Sequence, residues 1–424
     1  MLHVEKKHRL LILGSLEEFV VLVSTAKSRG YYTVVCDGYV NGVAKKIADR
    51  AYTIDIRDTD EIIALCRKEQ IDGIITSFSD ILFEQATRIA EAASLRWYVT
   101  TSMLPCYRNK YIMKDLLHRV NIATSTGKVI SECYSDTELD DLHFPLVIKP
   151  LDSYGSRGVY VLRSLEEVRT HFAAAAAYST DHRVLLEEFC AGREYNIMTW
   201  VCNGKVRVIS IADREKNPLN KDEIPPLNRL VYPAKYSRQV VKKAEDALQR
   251  FVDEIGQQDG PLSMQFFFVN GQVIVGEIAG RFFGYEHELV TYCSGFSFED
   301  LLLDYVYSPD RIESRLKDHD PSFSRYCAGI YFQGIDGKII ADDTALRKLT
   351  TDHHVLEYSL YYSPGEVVDH TSGKPYFARF DLTAPSREEL DCTTKDFFLK
   401  AHVKASDGSE VLLPFILQQD NSND

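Results

Sequence analysis

Lys149 stands at the end of a short apolar run, Leu146-Val147-Ile148, and is followed by Pro150 and the polar segment Asp152 to Arg157. Gly155 and Gly158 lie in or beside that segment, and a second β-prone run, Val159 to Leu162, comes next. Proline cannot donate to a central strand ladder, so the chain turns there, and the pattern predicts strand, loop, strand with a lysine at the lip. Small residues let backbone N–H groups approach an anion, and successive N–H groups form a nest for phosphate oxygens. Lys149 would add a fixed positive charge beside them. The stretch is not a Walker P-loop, because no Gly-Lys-Ser/Thr follows the glycines and no helix opens from them. An ordinary hairpin with a surface lysine is the alternative reading.

Carboxylates form the second set. Glu277 lies on an otherwise apolar strand, and a buried carboxylate needs a partner or a metal. Glu187 and Glu188 are adjacent on a strand, so one faces out, and Glu188 is assigned to the surface. Glu194 follows Arg193 and could simply pair with it or with a neighbour. Lys110 opens a helical pattern in Asn109 to Leu117, and a solvated helix-start lysine is its plain reading. His287, in Y-E-H-E-L-V, either orients substrate or makes a structural hydrogen bond at a helix start.

The elements that must position these residues follow from periodicity. Residues 9–100 alternate strand and helix signals, which predicts a parallel sheet covered by helices. Gly14-Ser15 is too short for a dinucleotide fingerprint, and Asp37-Gly38 reads as a turn. From Val184 to Ala279 the pattern becomes antiparallel, with hairpin signals at Asn203-Gly204 and Asn270-Gly271. Residues 213–236, with four prolines, read as a long loop. After Pro309 the pattern predicts a separate α+β unit. The expected units are therefore 1–105, a Rossmann-like domain; 106–190, a small lid subdomain with a helical lead-in; 191–309, a large subdomain; and 310–424, a C-terminal lobe.

A length of 424 residues allows two to four domains. The formal charge of −13 argues against general nucleic-acid binding but leaves room for a small phosphorylated ligand. No apolar run approaches a membrane span, and no secretory signal precedes the first strand. Nine scattered cysteines, none in a C-x-x-C pair, read as reduced thiols of a cytoplasmic protein.

In this order the motifs N-K-Y-I-M-K (109–114), V-I-K-P (147–150), the glycine loop, L-L-E-E-F (185–189), G-R-E (192–194), M-Q-F-F (264–267) and G-E-I-A-G-R (276–281) resemble the ATP-grasp superfamily over roughly residues 10–310. The resemblance implies α/β and α+β architecture, ATP and Mg2+ as cofactors, and small-molecule carboxylate and amine substrates. It also allows a homodimer. Carried over, Lys110 and Lys149 contact phosphates, and Gly155, Ser156 and Gly158 form a lid over them. Glu187 and Phe189 lie beside the adenine, and Glu194 holds the ribose. Glu277 is the principal metal ligand with Gln265 as its neighbour, and Arg281 faces the transferred phosphoryl group. Where the family pattern has asparagine this chain has Ala279, which cannot coordinate a hard cation.

The family's reaction activates a carboxylate as an acyl-phosphate, which an amine then displaces. An L-amino-acid ligase is the nearest group, on the likeness of R-F-F-G-Y-E-H (281–287). Bicarbonate phosphorylation, as in carbamoyl-phosphate or biotin carboxylases, and a nucleotide-binding module without catalysis are the alternatives. Arg214 and Arg229 are candidates to anchor a substrate carboxylate, with solvated loop arginines as the alternative. For Gln265 and Glu277 to share a face, their index sum of 542 requires an odd residue in the hairpin, expected in a three-residue loop with Gly271 left-handed.

Overall fold

Apolar strands buried on both sides build the first layer. In the computed structural model, which describes residues 7–153, 157–216, 226–235, 237–284, 287–369 and 374–415, strands β1 (Arg9–Leu13), β2 (Tyr32–Asp37), β3 (Arg50–Thr53) and β4 (Gly73–Ile75) form a parallel sheet of order β3-β2-β1-β4. Helices α1 (Val20–Ser28), α2 (Thr59–Lys68) and α3 (Asp80–Ala93) connect it. Asp37 is committed to its turn, as expected: it accepts Ser15 Oγ at 2.5 Å and Tyr39 N at 3.0 Å.

Two helices, α4 (Leu104–Arg108) and α5 (Lys110–Arg119), lead into a four-stranded antiparallel sheet. Its strands are β5 (Gly127–Ile130), β6 (Leu146–Pro150), β7 (Tyr160–Leu162) and β8 (Val184–Glu188), in the order β5-β8-β6-β7. Helix α6 (Leu165–Ala176) packs on it, started by Ser164, whose hydroxyl accepts Glu167 N at 3.2 Å.

The larger sheet has eight strands: β9 (Arg193–Cys202), β10 (Lys205–Lys216), β11 (Leu227–Tyr232), β12 (Gly260–Val269), β13 (Gln272–Ala279), β14 (Tyr326–Phe332), β16 (Val355–Leu360) and β17 (Ala378–Ala384), with β15 (Ile340–Asp342) lying outside it. Their order is β13-β12-β9-β10-β11-β14-β17-β16. Helices α7 (Ser237–Ile255), α8 (His287–Ser294), α9 (Phe298–Tyr307), α10 (Ile312–Lys317), α11 (Thr344–Lys348) and α12 (Arg387–Lys400) complete the described elements with β18 (Lys404–Ala405). All nine cysteines are free thiols. Among the described residues no helix is long and apolar enough to cross a membrane.

Two expectations are corrected here. Residues 213–236 are not one long loop: β10 runs to Lys216 and β11 begins at Leu227, with Arg214 opposite Leu230. Prolines and charges hid two strands whose inward residues are buried. The stretch after Pro309 is also not a wholly separate α+β unit. It has its own apolar core around Phe332, Phe380 and Leu390, yet β14 pairs with β11 and so continues the large sheet.

The N-terminal layer is locked to the large unit by charge. Asp304 on α9 is fully buried and receives Arg29 Nη1 and Arg315 Nη2, each at 2.7 Å. Removing a buried partner leaves uncompensated charge behind. Asp304→Ala should therefore lower stability by about 3 kcal/mol, read from the first transition in urea. A loss below about 1 kcal/mol, the scale of an exposed pair, would show that this clamp does not hold the two units.

Candidate active site

The site is assembled on the facing surfaces of the small and large sheets. On the small sheet, Val147 pairs with Glu187, so Lys149, two residues on, shares the face of Glu187. The Lys149 Nζ meets Glu187 Oε2, and Lys114 from α5 meets Oε1 of the same carboxylate. Lys114 Nζ also donates to Thr124 Oγ1 at 2.7 Å and Ser125 O at 2.8 Å. Burial opposes ionisation of Glu187, but Lys149 and Lys114 outweigh it and hold its carboxyl below the usual range. Lys114 was not singled out in the sequence, although it closes the motif that contains Lys110.

Lys110 is the first residue of α5, which Asn109 caps by accepting Tyr111 N at 3.0 Å and Ile112 N at 3.1 Å. Its backbone N–H donates to Leu151 O at 3.0 Å and its Nζ to Ser153 O at 2.8 Å, so it holds the near end of the glycine loop. Burial lowers its pKa, partly offset by Glu277 and Asp80, with Lys149 and Arg108 adding to the lowering. Lys110, Lys149 and Glu277 thus lie within electrostatic reach across the cleft. Gly155 and Ser156 lie outside the described residues. Gly158 has φ +70°, and an added Cβ would come within 2.7 Å of the Tyr178 ring. Phe189 follows β8, half-buried, its N–H on Pro145 O at 2.9 Å. Glu188 points out to His143, whose Nδ1 lies 2.7 Å away.

On the large sheet one face carries a polar row. Gln265 pairs with Asn196 on one side and Glu277 on the other, while Glu194 lies diagonal to Gln265. Glu194 does not pair with Arg193. It takes Arg214 Nη1 at 2.6 Å, Lys216 Nζ at 2.7 Å and the Gln265 amide. Burial raises its pKa, but Arg214 and Lys216 dominate and leave it below the usual range. Lys216 is itself pushed down to about 8, first by burial and then by Arg214.

Gln265 and Glu277 do share a face, by a different device from the one expected. The turn is a two-residue one: Val269 pairs with Gln272, and Asn270 (φ +48°) and Gly271 (φ +74°) are both left-handed. The odd residue is Gly276, bulged out of β13 between Val275, opposite Phe266, and Glu277, opposite Gln265. Ala279 pairs with Ser263 and supplies no ligand.

Arg281 forks onto Asp80 of the N-terminal unit, Nε to Oδ1 at 2.8 Å and Nη2 to Oδ2 at 2.5 Å. Arg281 outweighs the burial that would raise Asp80 and keeps its carboxyl low. Asp80 was missed because its role depends on a contact about two hundred residues away in the chain. Arg229 is buried, with two nitrogens on Glu215 at 2.9 Å and Nη1 on Asp391 at 2.7 Å. It is a strand residue, not a solvated loop arginine. His287 is buried at the start of α8, between Glu288 and Glu299, and stacks on Phe78 at 4.2 Å.

Lys110 and Lys149 from one side and the Gln265–Glu277 pair from the other are thus brought within electrostatic reach of one another. Residues 142–287 match the ATP-grasp domain family. The chain is 25% identical over 283 residues to the formate-dependent phosphoribosylglycinamide formyltransferase of Prochlorococcus marinus (strain NATL1A), covering 64% of this chain and 70% of that one. The Methanocaldococcus jannaschii protein of the same name is 25% identical over 285 residues, with 64% and 69% covered. Among solved structures, an L-amino acid ligase from Bacillus licheniformis superposes with TM-score 0.79 at 17% identity, covering 95% of this chain and 100% of that one. The biotin carboxylase domain of 2-oxoglutarate carboxylase from Hydrogenobacter thermophilus, solved with MgADP, ADP and bicarbonate, gives 0.71 at 15%, covering 96% and 92%. An ATP-grasp domain therefore occupies residues 142–287, and over a longer span the chain is similar to the enzymes named above.

A lysine with a lowered pKa takes up a proton when a polyanion binds beside it. Burial pushes Lys216 down to about 8, and a bound phosphate would favour its charged form. ATP affinity should therefore be flat below pH 7 and fall by up to about tenfold per unit above pH 8. Calorimetry across that range tests this, and Lys216→Met should remove the slope. An unchanged slope in that variant would place the titrating group elsewhere.

Proposed function

We propose that this protein uses ATP to phosphorylate a small-molecule carboxylate and then joins the acyl group to an amine. The supporting observation is the convergence of Lys110, Lys149, Lys216 and Glu277 around one cleft, with Arg281 fixed at its end by Asp80. MgATP would supply the phosphoryl group and a cation that neutralises its oxygens. Glu277 offers that cation a carboxylate and Gln265 an amide oxygen on the same face, which fits an ion that keeps several waters. The chain's own residues do the rest by position and charge. Lys149 and Lys110 bear on the phosphates, and the Glu187 pair keeps Lys149 in place until they arrive. Arg281, rigid on Asp80, faces the carboxylate and the charge that develops on its oxygen. When the amine nitrogen attacks the acyl carbon, phosphate leaves with the electron pair of the acyl C–O bond, and the nitrogen gives up a proton.

The test is ADP release from ATP on adding a panel of carboxylates with amines. A burst that depends on a carboxylate is expected. Bicarbonate alone producing the burst would favour a carboxylase instead, and no burst with any acid would leave only a nucleotide-binding module. Glu277→Ala should cut kcat/KM by about a hundredfold or more, since it removes formal charge from the metal, and Gln265→Ala by about tenfold. The reverse order would reject this metal assignment.

A further inference from the structure

Outside the matched domain, at the corner that leads into β16, the edge strand of the large sheet, the sequence reads Asp352-His353-His354. The short 3-10 turn Leu349–Thr351 ends there. The backbone of the corner is pinned, with Val355 N donating to Asp352 O at 3.0 Å and Thr383 N to His354 O at 2.9 Å. Asp352 Oδ1 also accepts His354 N at 3.0 Å, which folds the side chain back over the turn. Among the described residues, Asp352, His353 and His354 form a group of three metal-type side chains whose ligand atoms all lie within 4.8 Å of one another.

The spacing suits one ion. His354 Nδ1 lies 2.8 Å from Asp352 Oδ1, and His353 Nδ1 lies 3.6 Å from the same oxygen. Atoms held about 2.0–2.2 Å from one cation stand about 2.9 Å apart at right angles and about 3.4 Å apart on a tetrahedron, so the two distances bracket a coordinating set. The far side of His354 supplies a second observation. Its Nε2 faces Glu389 Oε1 on α12 at 3.4 Å, the contact with a carboxylate that fixes the tautomer and ring plane of a ligating histidine. A neutral imidazole has one proton for these two carboxylates, so one ring nitrogen must turn its lone pair on an oxygen. A cation between Nδ1 and Oδ1 removes that clash. The His353 side chain is 84% exposed and that of His354 only 16%, so the set is anchored on one side and open to water on the other. Two imidazoles and a carboxylate suit Zn2+, Ni2+ or Cu2+, whereas Mg2+ prefers oxygen donors such as those of Gln265 and Glu277.

We propose that Asp352, His353 and His354 bind one divalent transition ion, with Zn2+ as the fitting species, and that Glu389 is the positioning residue behind His354. The site does not depend on the ligase reading. Its ion would stiffen the corner from which β16 starts and, through Glu389, the first turn of α12. A doubly protonated His354 bridging Asp352 and Glu389 is the competing arrangement, and it binds no metal.

Calorimetry of the full chain with Zn2+, after dialysis against a chelator and in excess Mg2+ to fill oxygen-donor sites, tests it. One equivalent should bind saturably and raise the thermal midpoint, since the ion binds the folded state. His353→Ala changes an exposed side chain and should weaken Zn2+ by at least about tenfold, and Glu389→Gln should do so by about tenfold. Asp352→Asn keeps an oxygen for the turn hydrogen bond but removes the charge, and it should lose the rise in midpoint. His402→Ala, at another exposed histidine beside a carboxylate, should change nothing. No saturable Zn2+ binding overturns the proposal, as does an affinity unchanged in His353→Ala. An equal loss in His402→Ala also overturns it, because surface histidines would then hold the ion adventitiously.

Discussion

Crowded positive charge in a cleft of low dielectric is the constraint on which the site depends. Two like charges about 4 Å apart repel by about 4 kcal/mol at a surface-like dielectric, and here Lys110, Lys114, Lys149, Lys216, Arg214 and Arg281 converge on one region. The set holds together because carboxylates are interleaved with it. Glu187 separates Lys114 and Lys149, Glu194 separates Arg214 and Lys216, and Asp80 holds Arg281. Glu187 and Glu194 sit on strands and Asp80 on a helix, so each cation is held in place by the protein itself, the condition that the proposed catalysis by position would need.

The Gln265–Glu277 pair shows how backbone geometry decides which side chains share a face. A tight two-residue turn suits Asn270-Gly271, because both residues tolerate left-handed backbone. That turn alone would place Gln265 and Glu277 on opposite faces. Gly276 reconciles the two demands by bulging out of the strand near the site. Parity fixes only that one residue is extra, and a bulge beside a functional pair is a common place for it.

The buried contacts around Arg281 and α8 draw on more of the chain than the family match does. Residues 142–287 carry the family match and hold Lys149, Lys216, Gln265, Glu277 and Arg281. Asp80 and Glu18 come from before that span, and Asp381 from well after it. The continuation of the large sheet into β14 and β17 brings Asp381 to α8, and the Asp304 clamp fixes the N-terminal unit from the other side.

Periodicity in the sequence determined the parallel N-terminal sheet, the helix limits near Arg387 and Ser164, and the antiparallel run with its Asn-Gly turns, because these follow from local alternation and capping. The order of motifs was also enough to recognise the superfamily and to mark Lys110, Lys149, Glu194 and Glu277. The partners of those residues were not legible. Glu194 stands next to Arg193 in the chain yet pairs with Arg214 and Lys216, because strand register sends adjacent side chains to opposite faces. Arg229 read as a loop residue, since prolines and charges resemble a loop until a neighbouring strand supplies hydrogen bonds and counter-charges. Asp80 carries no local signal at all. Its role arises from a contact between segments far apart in the chain, and only packing in three dimensions decides which charges are buried together.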